Sequence, residues 1–164
     1  MTYLNNLPTI LKHLPEVKGV YYLPFLPSHL EQLTDAQYYF NSKMGKEHTI
    51  TQITYQSECG PAITAFAYGK PAAVFGCVLM WNGVGEMWSI FSEASRRYPF
   101  AMTNVAITFL DICEILFHLH RLQITVKTSD IRAMKWAKYL GFVPEGNMIK
   151  YSADKEDFTI MGRT

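Results

Sequence analysis

Only a few residues of this sequence have the type and position to do chemistry. Glu86 is an isolated carboxylate at the start of a predicted strand, where a carboxylate can accept a proton as a general base. Arg96 and Arg97 form a basic pair whose guanidinium groups suit the geometry of a phosphate. The simpler alternatives are that Glu86 is a surface glutamate beside the Asn82-Gly83 turn and that the arginines are a solvated pair.

Other reactive residues do not form a recognisable site. His118 and His120 stand two apart on a predicted helix, so they point in different directions and match no metal-ligand spacing. We therefore predict no metal site. Cys113 lies on the apolar stripe of the same helix, where a buried inert thiol is the usual role. The many aromatic residues offer stacking surfaces, but we assign most of them to the core.

Composition limits the class of protein. Of the 164 residues, 49% are hydrophobic and 18% are charged, which predicts one folded domain over 1–164. A formal net charge of +1 is too small to attract nucleic acid or an anionic membrane by its bulk field. The longest apolar run, 72–81, is far shorter than the ~20 residues of a membrane span. The first residues lack the features of a secretory signal, so we predict a cytoplasmic protein with buried thiols at Cys59, Cys77 and Cys113.

The first half of the chain contains the elements that must position Glu86. An apolar stripe predicts a short amphipathic helical lead-in over about 1–14, with Pro8 in its first turn behind Asn5 or Asn6 as the cap. Residues 17–24 look extended, and a capping box over 28–31 predicts a helix to about Phe40. The segment 47–58 is compatible with either a helix or irregular structure. Strands are predicted over 62–68, 72–81 and 85–91, joined by turns at 69–71 and Asn82-Gly83.

The second half begins with the longest apolar periodicity of the chain. It predicts a helix from Pro99 to about His120, followed by a short strand over 122–126. Thr128, Ser129 and Asp130 can cap a second helix that ends at Gly141, a residue that readily adopts a left-handed conformation. Two closing strands are predicted over 148–153 and 157–161. The order is strand and helix, a three-stranded meander, then helix, strand, helix and two strands.

This order of elements resembles the GNAT superfamily of N-acetyltransferases. The segment 130–142 is similar to the family's Asn-x-x-Ala helix ending in Leu-Gly-Phe, and 143–146 and a final hairpin ending near 161–163 follow it. The resemblance implies an α/β (α+β) fold with a mixed, mostly antiparallel sheet, flanking helices and two splayed parallel strands. Residues 76–92 and 95–100 resemble more specifically a branch encoded by tailed phages, which includes small internal virion and assembly proteins.

The resemblance also implies a cofactor and its site. In this family the pantetheine arm of acetyl-CoA lies between the splayed strands, which correspond here to 85–91 and 122–126. The pyrophosphate lies at the N-terminus of the following helix, between Ser95 and Met102 here. Glu86 would then be the general base for an incoming ammonium group. The residues implied to bind acetyl-CoA are Ser89, Ile90, Phe91, Arg96, Arg97, Asp130 and Ala133.

The sequence departs from the family pattern at the two places closest to cofactor and chemistry. The family's pyrophosphate loop is glycine-rich, whereas 95–102 contains no glycine, so Arg96 and Arg97 are expected to supply charged contacts instead. Many members carry a general-acid tyrosine four residues before the glycine of Leu-Gly-Phe, and Ala137 occupies that position here. Tyr139 lies about 200° further around the helix and does not replace it.

Two functions from different classes follow. The first is an acetyl-CoA-dependent N-acetyltransferase that acts on a primary amine of a small molecule or a protein. The second is a GNAT-shaped phage protein with weak or no catalysis, which acts in virion assembly or binds phage or host proteins in the cytoplasm or the virion. In the second case the N-terminal apolar stripe and the aromatic stretch 21–25 would be contact surface as well as core.

Overall fold

The computed structural model describes residues 3–33 and 45–164, and their side chains from residue 5 onward. Seven strands form one sheet, and the helices pack on its two faces. A short 3-10 helix, Glu93–Arg97, precedes the longest α-helix. In chain order the described elements are α1 (Tyr3–His13), β1 (Val20–Pro24), α2 (Ser28–Glu31), α3 (Lys46–Glu58), β2 (Ala62–Ala67), β3 (Lys70–Trp81), β4 (Val84–Phe91), α4 (Pro99–Leu116), β5 (Arg121–Lys127), α5 (Ile131–Tyr139), β6 (Val143–Met148) and β7 (Phe158–Arg163).

The sheet is mixed and mostly antiparallel, as the sequence predicts. Its strand order is β1-β2-β3-β4-β5-β7-β6, and among the described strands only β4 and β5 pair in parallel. The predicted meander of β2, β3 and β4 is confirmed. Its first turn contains Tyr68 and Gly69, with φ of 49° and 83°, so it lies one residue before the predicted position. Positive φ at both turn residues matches the twist of a tight hairpin.

Each face of the sheet has its own hydrophobic cluster. The front face packs against α1, α4 and α5, and its fully buried side chains include Ile10, Phe75 and Phe109. The back face packs against α2 and α3 through a smaller cluster that contains Phe25 and Ile53. This second cluster covers β2, β3 and β4, with Phe25 just after β1, and includes no residue of β5, β6 or β7. Among the described residues, the cover of the back face therefore ends at the boundary between β4 and β5, and we call the part over β5, β6 and β7 the open half.

Helix α4 is the main support of the front face. Its periodic apolar residues Met102, Val105, Phe109 and Cys113 are buried, as the sequence predicts. Truncation of a fully buried phenylalanine such as Phe109 to alanine costs about 3–5 kcal/mol. By length and composition α4 is also the one described helix that is able to span a membrane, but the core helix of a soluble protein passes the same test.

Two predictions for the first half need correction, and one open alternative is decided. Helix α1 begins at Tyr3, so Pro8 lies in its second turn and not behind an Asn5 or Asn6 cap. The capping box is wrong, because Ser28 makes no capping hydrogen bond and α2 ends at Glu31; residues 34–40 of that predicted helix lie outside the described residues. The ambiguous segment is the helix α3, which buries Ile53 against the back face.

Two predictions for the second half also need correction. Helix α4 ends at Leu116 and not near His120, because His118 has a left-handed φ of 52°. The penultimate strand is Val143–Met148, not 148–153, and the last strand extends to Arg163. Pro144 and Gly146 disfavour a central strand, but β6 is at the edge of the sheet, where a proline needs no ladder partner. The predicted stop of α5 at Gly141 is confirmed by its φ of 96°.

The three cysteines are free thiols. Cys77 and Cys113 are buried in the front cluster, as predicted, whereas Cys59 is half-buried. A hydrogen bond with Cys77, together with burial, raises the pKa of the Cys113 thiol well above its usual value. Both effects disfavour the thiolate form of Cys113 that a nucleophile requires.

Candidate active site

The central feature of the site is the separation of β4 from β5. The two strands share three register pairs, Val84 with Arg121, Gly85 with Leu122, and Glu86 with Gln123. Beyond these pairs β4 continues to Phe91 along β3, and β5 continues to Lys127 along β7. Each strand therefore keeps one partner while its other edge carries peptide groups that no described strand pairs with. Such an edge is able to hydrogen bond an extended, amide-containing ligand.

Glu86 lies at the last register pair before the strands separate. Its side chain is half-buried and points to the back face, as do those of Trp88 and Ile90. The carboxylate oxygen Oε1 accepts a hydrogen bond from Nε2 of Gln123 at 3.3 Å. Glu86 is thus at the boundary between the covered and the open halves of the back face. An amine that approaches over the open half can reach this carboxylate.

The predicted binding residues of β4 lie beyond this point. Ile90 is 2% exposed and packs into the back cluster, so only its backbone is available to a ligand. Phe91 packs on the front face, where its ring contacts Phe75 edge-on at 5.6 Å. Ser89, which precedes them on the strand, is half-buried. The backbone edge of these residues faces the gap between the strands.

Trp88 contains an unusual buried donor. Its indole lies over Gly76 of β3, where an added Cβ would come within 2.1–2.4 Å of three indole atoms. Phe25 contacts the ring edge-on at 5.9 Å. The indole Nε1 is buried and has no hydrogen-bond partner among the residues that the structure describes. Glycine at position 76 is therefore what allows a large aromatic side chain to lie flat beside Glu86.

Arg96 and Arg97 end the 3-10 helix that leads into α4. Both are exposed, and the turn is held by Ser95, whose N–H and Oγ both donate to the carbonyl of Ser92. Helix α4 begins two residues after Arg97, and its first intrahelical hydrogen bond is donated by the N–H of Met102. The free N–H groups of its first turn, the helix dipole and two guanidinium groups together favour an anion here.

Asp130 and Ala133 form the start of α5. The side chain of Asp130 accepts a hydrogen bond from the N–H of Ala133 at 3.0 Å, which is the predicted helix cap. The cap uses one free donor of the helix and adds a negative charge. Structurally, α5 is therefore less suited than α4 to a phosphate.

Trp136 is a residue of the site that sequence reasoning assigned only to the core. Its indole N–H donates to Oγ1 of Thr103 on α4 at 3.1 Å, and its ring contacts Phe91 edge-on at 5.3 Å. One side chain of α5 thus contacts both α4 and the end of β4. The neighbouring Ala137 is 1% exposed and has no hydroxyl, while Tyr139 is 73% exposed.

A hydrogen-bonded ion pair lies on the open half of the back face. Arg121 of β5 donates to both carboxylate oxygens of Glu145 on β6, at 3.0 and 2.5 Å. These hydrogen bonds lower the pKa of the Glu145 carboxyl and raise that of the Arg121 guanidinium. Sequence reasoning did not identify Arg121, Glu145 or Gln123, because their sequence separations give no local pattern.

Known structures share this architecture. RimL, a ribosomal L7/L12 alpha-N-protein acetyltransferase solved with coenzyme A, is similar with a TM-score of 0.71, 15% identity and coverage of 92% of this chain and 96% of that one. Ard1 from Thermoplasma volcanium is similar with a TM-score of 0.72 and 16% identity, and the match covers 88% of this chain and 97% of that one. A GNAT-family acetyltransferase from Bacillus anthracis is similar with a TM-score of 0.68 and 13% identity, and the match covers 90% of this chain and 95% of that one. No protein-family model and no curated protein matches the sequence.

The chain therefore has the GNAT fold, with the mixed seven-stranded sheet that the resemblance implied. Likeness at 13–16% identity establishes the fold and not the activity. The phage-encoded branch receives no support from these structures.

Proposed function

We propose that this protein is an acetyl-CoA-dependent N-acetyltransferase that acts on a primary amine. The observation that carries the proposal is the position of Glu86, a half-buried carboxylate at the point where β4 and β5 separate. There a single group can face both an acyl donor between the strands and an amine on the open back face. The GNAT fold of the chain supports the same activity.

The residues around the gap fit a coenzyme A molecule. The unpaired edges of β4 and β5 suit the two amides of its pantetheine arm, and the start of α4 with Arg96 and Arg97 suits its phosphates. When bound, acetyl-CoA supplies an acyl carbon activated as a thioester, with a thiolate as the leaving group. The Asp130 cap makes α5 a less suitable phosphate site, so we assign the phosphates to α4.

The chemistry assigned to the protein is proton transfer and positioning. Glu86 holds the incoming ammonium group and takes a proton from it, which frees the nitrogen lone pair. The nitrogen forms the new C–N bond as the C–S bond breaks, and the second proton that the nitrogen loses passes to the leaving thiolate, so the products are an amide and a thiol. Backbone N–H groups near 89–91 stabilise the negative charge on the acyl oxygen. RimL is an alpha-N-protein acetyltransferase by its description, which supports a protein α-amine among the possible acceptors.

A thermal-melt series tests the cofactor. Ligand at about 100 times its Kd stabilises the folded state by about 2.7 kcal/mol, a shift of several degrees for a domain of this size. We expect this shift with acetyl-CoA and CoA but not with ATP, which shares only the adenine nucleotide portion. Radiolabelled acetyl transfer to a panel of amines and peptides then tests the reaction. No shift at millimolar acetyl-CoA would contradict the proposal.

A second function is a GNAT-fold protein with weak or no catalysis that binds a partner, which includes the assembly role of phage proteins. One observation favours it: Trp136 already links α4, α5 and β4 beside the gap. Ala137 also leaves the position of the usual general acid without a hydroxyl. Under this function neither acetyl-CoA nor CoA shifts the melting temperature, and Glu86 is an ordinary surface residue.

A further inference from the structure

A continuous chain of hydrogen bonds connects the edge strand β6 to Glu86. Arg121, held by Glu145, donates through Nε to Oε1 of Gln123 at 3.1 Å. The Nε2 group of Gln123 has two hydrogens, one donated to Glu86 at 3.3 Å and one to the sulfur of Met80 at 3.6 Å. The chain therefore runs across the back face from β6 over β7 to β5 and β4.

The direction of each hydrogen bond in this chain is determined by chemistry. A guanidinium group has only donors, so the oxygen of the Gln123 amide must face Arg121. The NH₂ group must then face Glu86, whose carboxylate only accepts. If the amide were reversed, both contacts would place donor against donor or acceptor against acceptor. Arg121 thus selects the orientation of Gln123 in which it stabilises a negatively charged Glu86.

Gly162 of β7 makes room for this arrangement. It lies between β5 and β6, paired with Gln123 on one side and Val143 on the other. An added Cβ at position 162 would come within 2.6 Å of a Glu145 oxygen and 2.7 Å of an Arg121 nitrogen. A side chain there would separate the ion pair, so the crossing over β7 requires glycine.

The charges also suit an amine acceptor. Glu145 neutralises Arg121 through two hydrogen bonds, and in the described part of the chain the side-chain donor to Glu86 is the neutral amide of Gln123. A direct arginine partner would use the negative charge of Glu86 and repel an ammonium group. With an amide partner, Glu86 is held in place but keeps its charge for the substrate.

We propose that Gln123 is a positioning residue that holds the Glu86 carboxylate for proton transfer and is itself oriented by the Arg121–Glu145 pair. This inference rests on the proposed function and extends it to residues on β5 and β6. Gln123 acts through Glu86, so its contribution disappears when Glu86 cannot accept a proton. Glu145 acts more indirectly, because it holds Arg121, which in turn orients Gln123.

Kinetics test this dependence with a double-mutant cycle. Gln123→Met keeps the length of the side chain and removes both amide functions. We expect it to lower kcat about tenfold with little change in KM for acetyl-CoA, which is less than the 10²–10⁴-fold that a general base itself contributes. Glu86→Gln should lower kcat more, and the double variant should equal Glu86→Gln alone. Losses that multiply in the double variant would overturn the proposal.

Variants of the edge strand test the remote anchor. Glu145→Leu should lower kcat in the same direction as Gln123→Met, while Glu145→Gln, which can still accept from Arg121, should restore most of the loss. Val143→Thr is the matched control, because Val143 is exposed on the same strand and its side chain takes no part in the hydrogen bonds from Glu145 to Glu86. Equal kcat for Glu145→Leu and Val143→Thr would remove β6 from the proposal.

A measurement without substrate separates this inference from the proposed function. The side-chain NH₂ resonances of Gln123, observed by NMR with ¹⁵N labelling, should move in Arg121→Met and in Glu86→Gln but not in Val143→Thr. Movement with no acetyl transfer by the parent protein would contradict the proposed function and leave the orientation of Gln123 established. If the Gln123 resonances keep the same chemical shifts in both Arg121→Met and Glu86→Gln, the positioning role is overturned, whether or not the parent protein transfers acetyl groups.

Discussion

The contact between Trp136 and Thr103 gives the most discriminating prediction about the gap. Trp136→Phe keeps a ring against Phe91 and removes the N–H that donates to Thr103 at 3.1 Å. A neutral hydrogen bond contributes about 0.5–1.5 kcal/mol to stability, so we expect the free energy of unfolding to fall by about 1 kcal/mol. Urea denaturation at constant m-value measures this change directly.

Ligand binding should change in the opposite direction. If the pantetheine arm displaces Trp136 from Thr103 as it enters the gap, the ligand must break this hydrogen bond in the parent protein. Trp136→Phe has no such hydrogen bond to break, so CoA binding should gain about 1 kcal/mol of free energy. This gain corresponds to a Kd for CoA that is about fivefold lower. Isothermal titration calorimetry gives the Kd, and Thr103→Ser, which keeps the hydroxyl, is the matched control. Weaker binding of CoA by Trp136→Phe would refute the reasoning, because it would show that the indole contacts the bound ligand and does not have to move.

Three further predictions concern the phosphates, the back face and pH. Replacing Arg96 and Arg97 together by alanine should weaken CoA binding at least tenfold and reduce its salt dependence, because charged hydrogen bonds to phosphate are lost. Gly76→Ala should cost about 1–3 kcal/mol of stability, since the buried indole of Trp88 must move, and Trp fluorescence should change with it. Burial lowers the pKa of His29 below its usual 6.5, so stability should be lost as pH falls from 6.5 toward the lowered value.

Each of these has a control in the chain. Lys138→Ala removes an exposed cation from the last turn of α5 and should leave CoA affinity unchanged. Gly146→Ala adds a Cβ whose nearest neighbour is a methyl group of Ile160 at 3.8 Å, so its stability should match the parent. His29→Gln should reduce the loss of unfolding free energy as the pH falls below 6.5. An equally steep loss below pH 6.5 in that variant would assign it to other groups.

The strand meander and α5 were predictable because local chemistry specifies them. The Asn82-Gly83 turn requires a positive φ that glycine accepts, and Gly83 has a φ of 81°. Asp130 caps α5 with its own side chain, and Gly141 ends that helix. In each case the residues that form the feature are neighbours in sequence.

The errors have a common physical cause, which is that tertiary position overrode local preference. Thr-rich α3 is helical because it packs Ile53 onto the back cluster, and β6 tolerates Pro144 because it is an edge strand. At the site, Glu86 was identified from its own strand. Its partner Gln123 is 37 residues away, and the Arg121–Glu145 pair spans 24 residues, so their contacts follow only from the strand order.

The short pairing of β4 with β5 also divides the sheet into two cooperative units. One side consists of β1 and the antiparallel meander β2 to β4, and the other is β5 with β7 and β6; three register pairs join them. Amides on the inner edges of the two units should therefore exchange with deuterium by local opening well before the whole protein unfolds. A molecule that hydrogen bonds to both edges would act as an eighth strand and unite the two units. Slower exchange on both strands at once would then report the occupied gap without any knowledge of the acceptor.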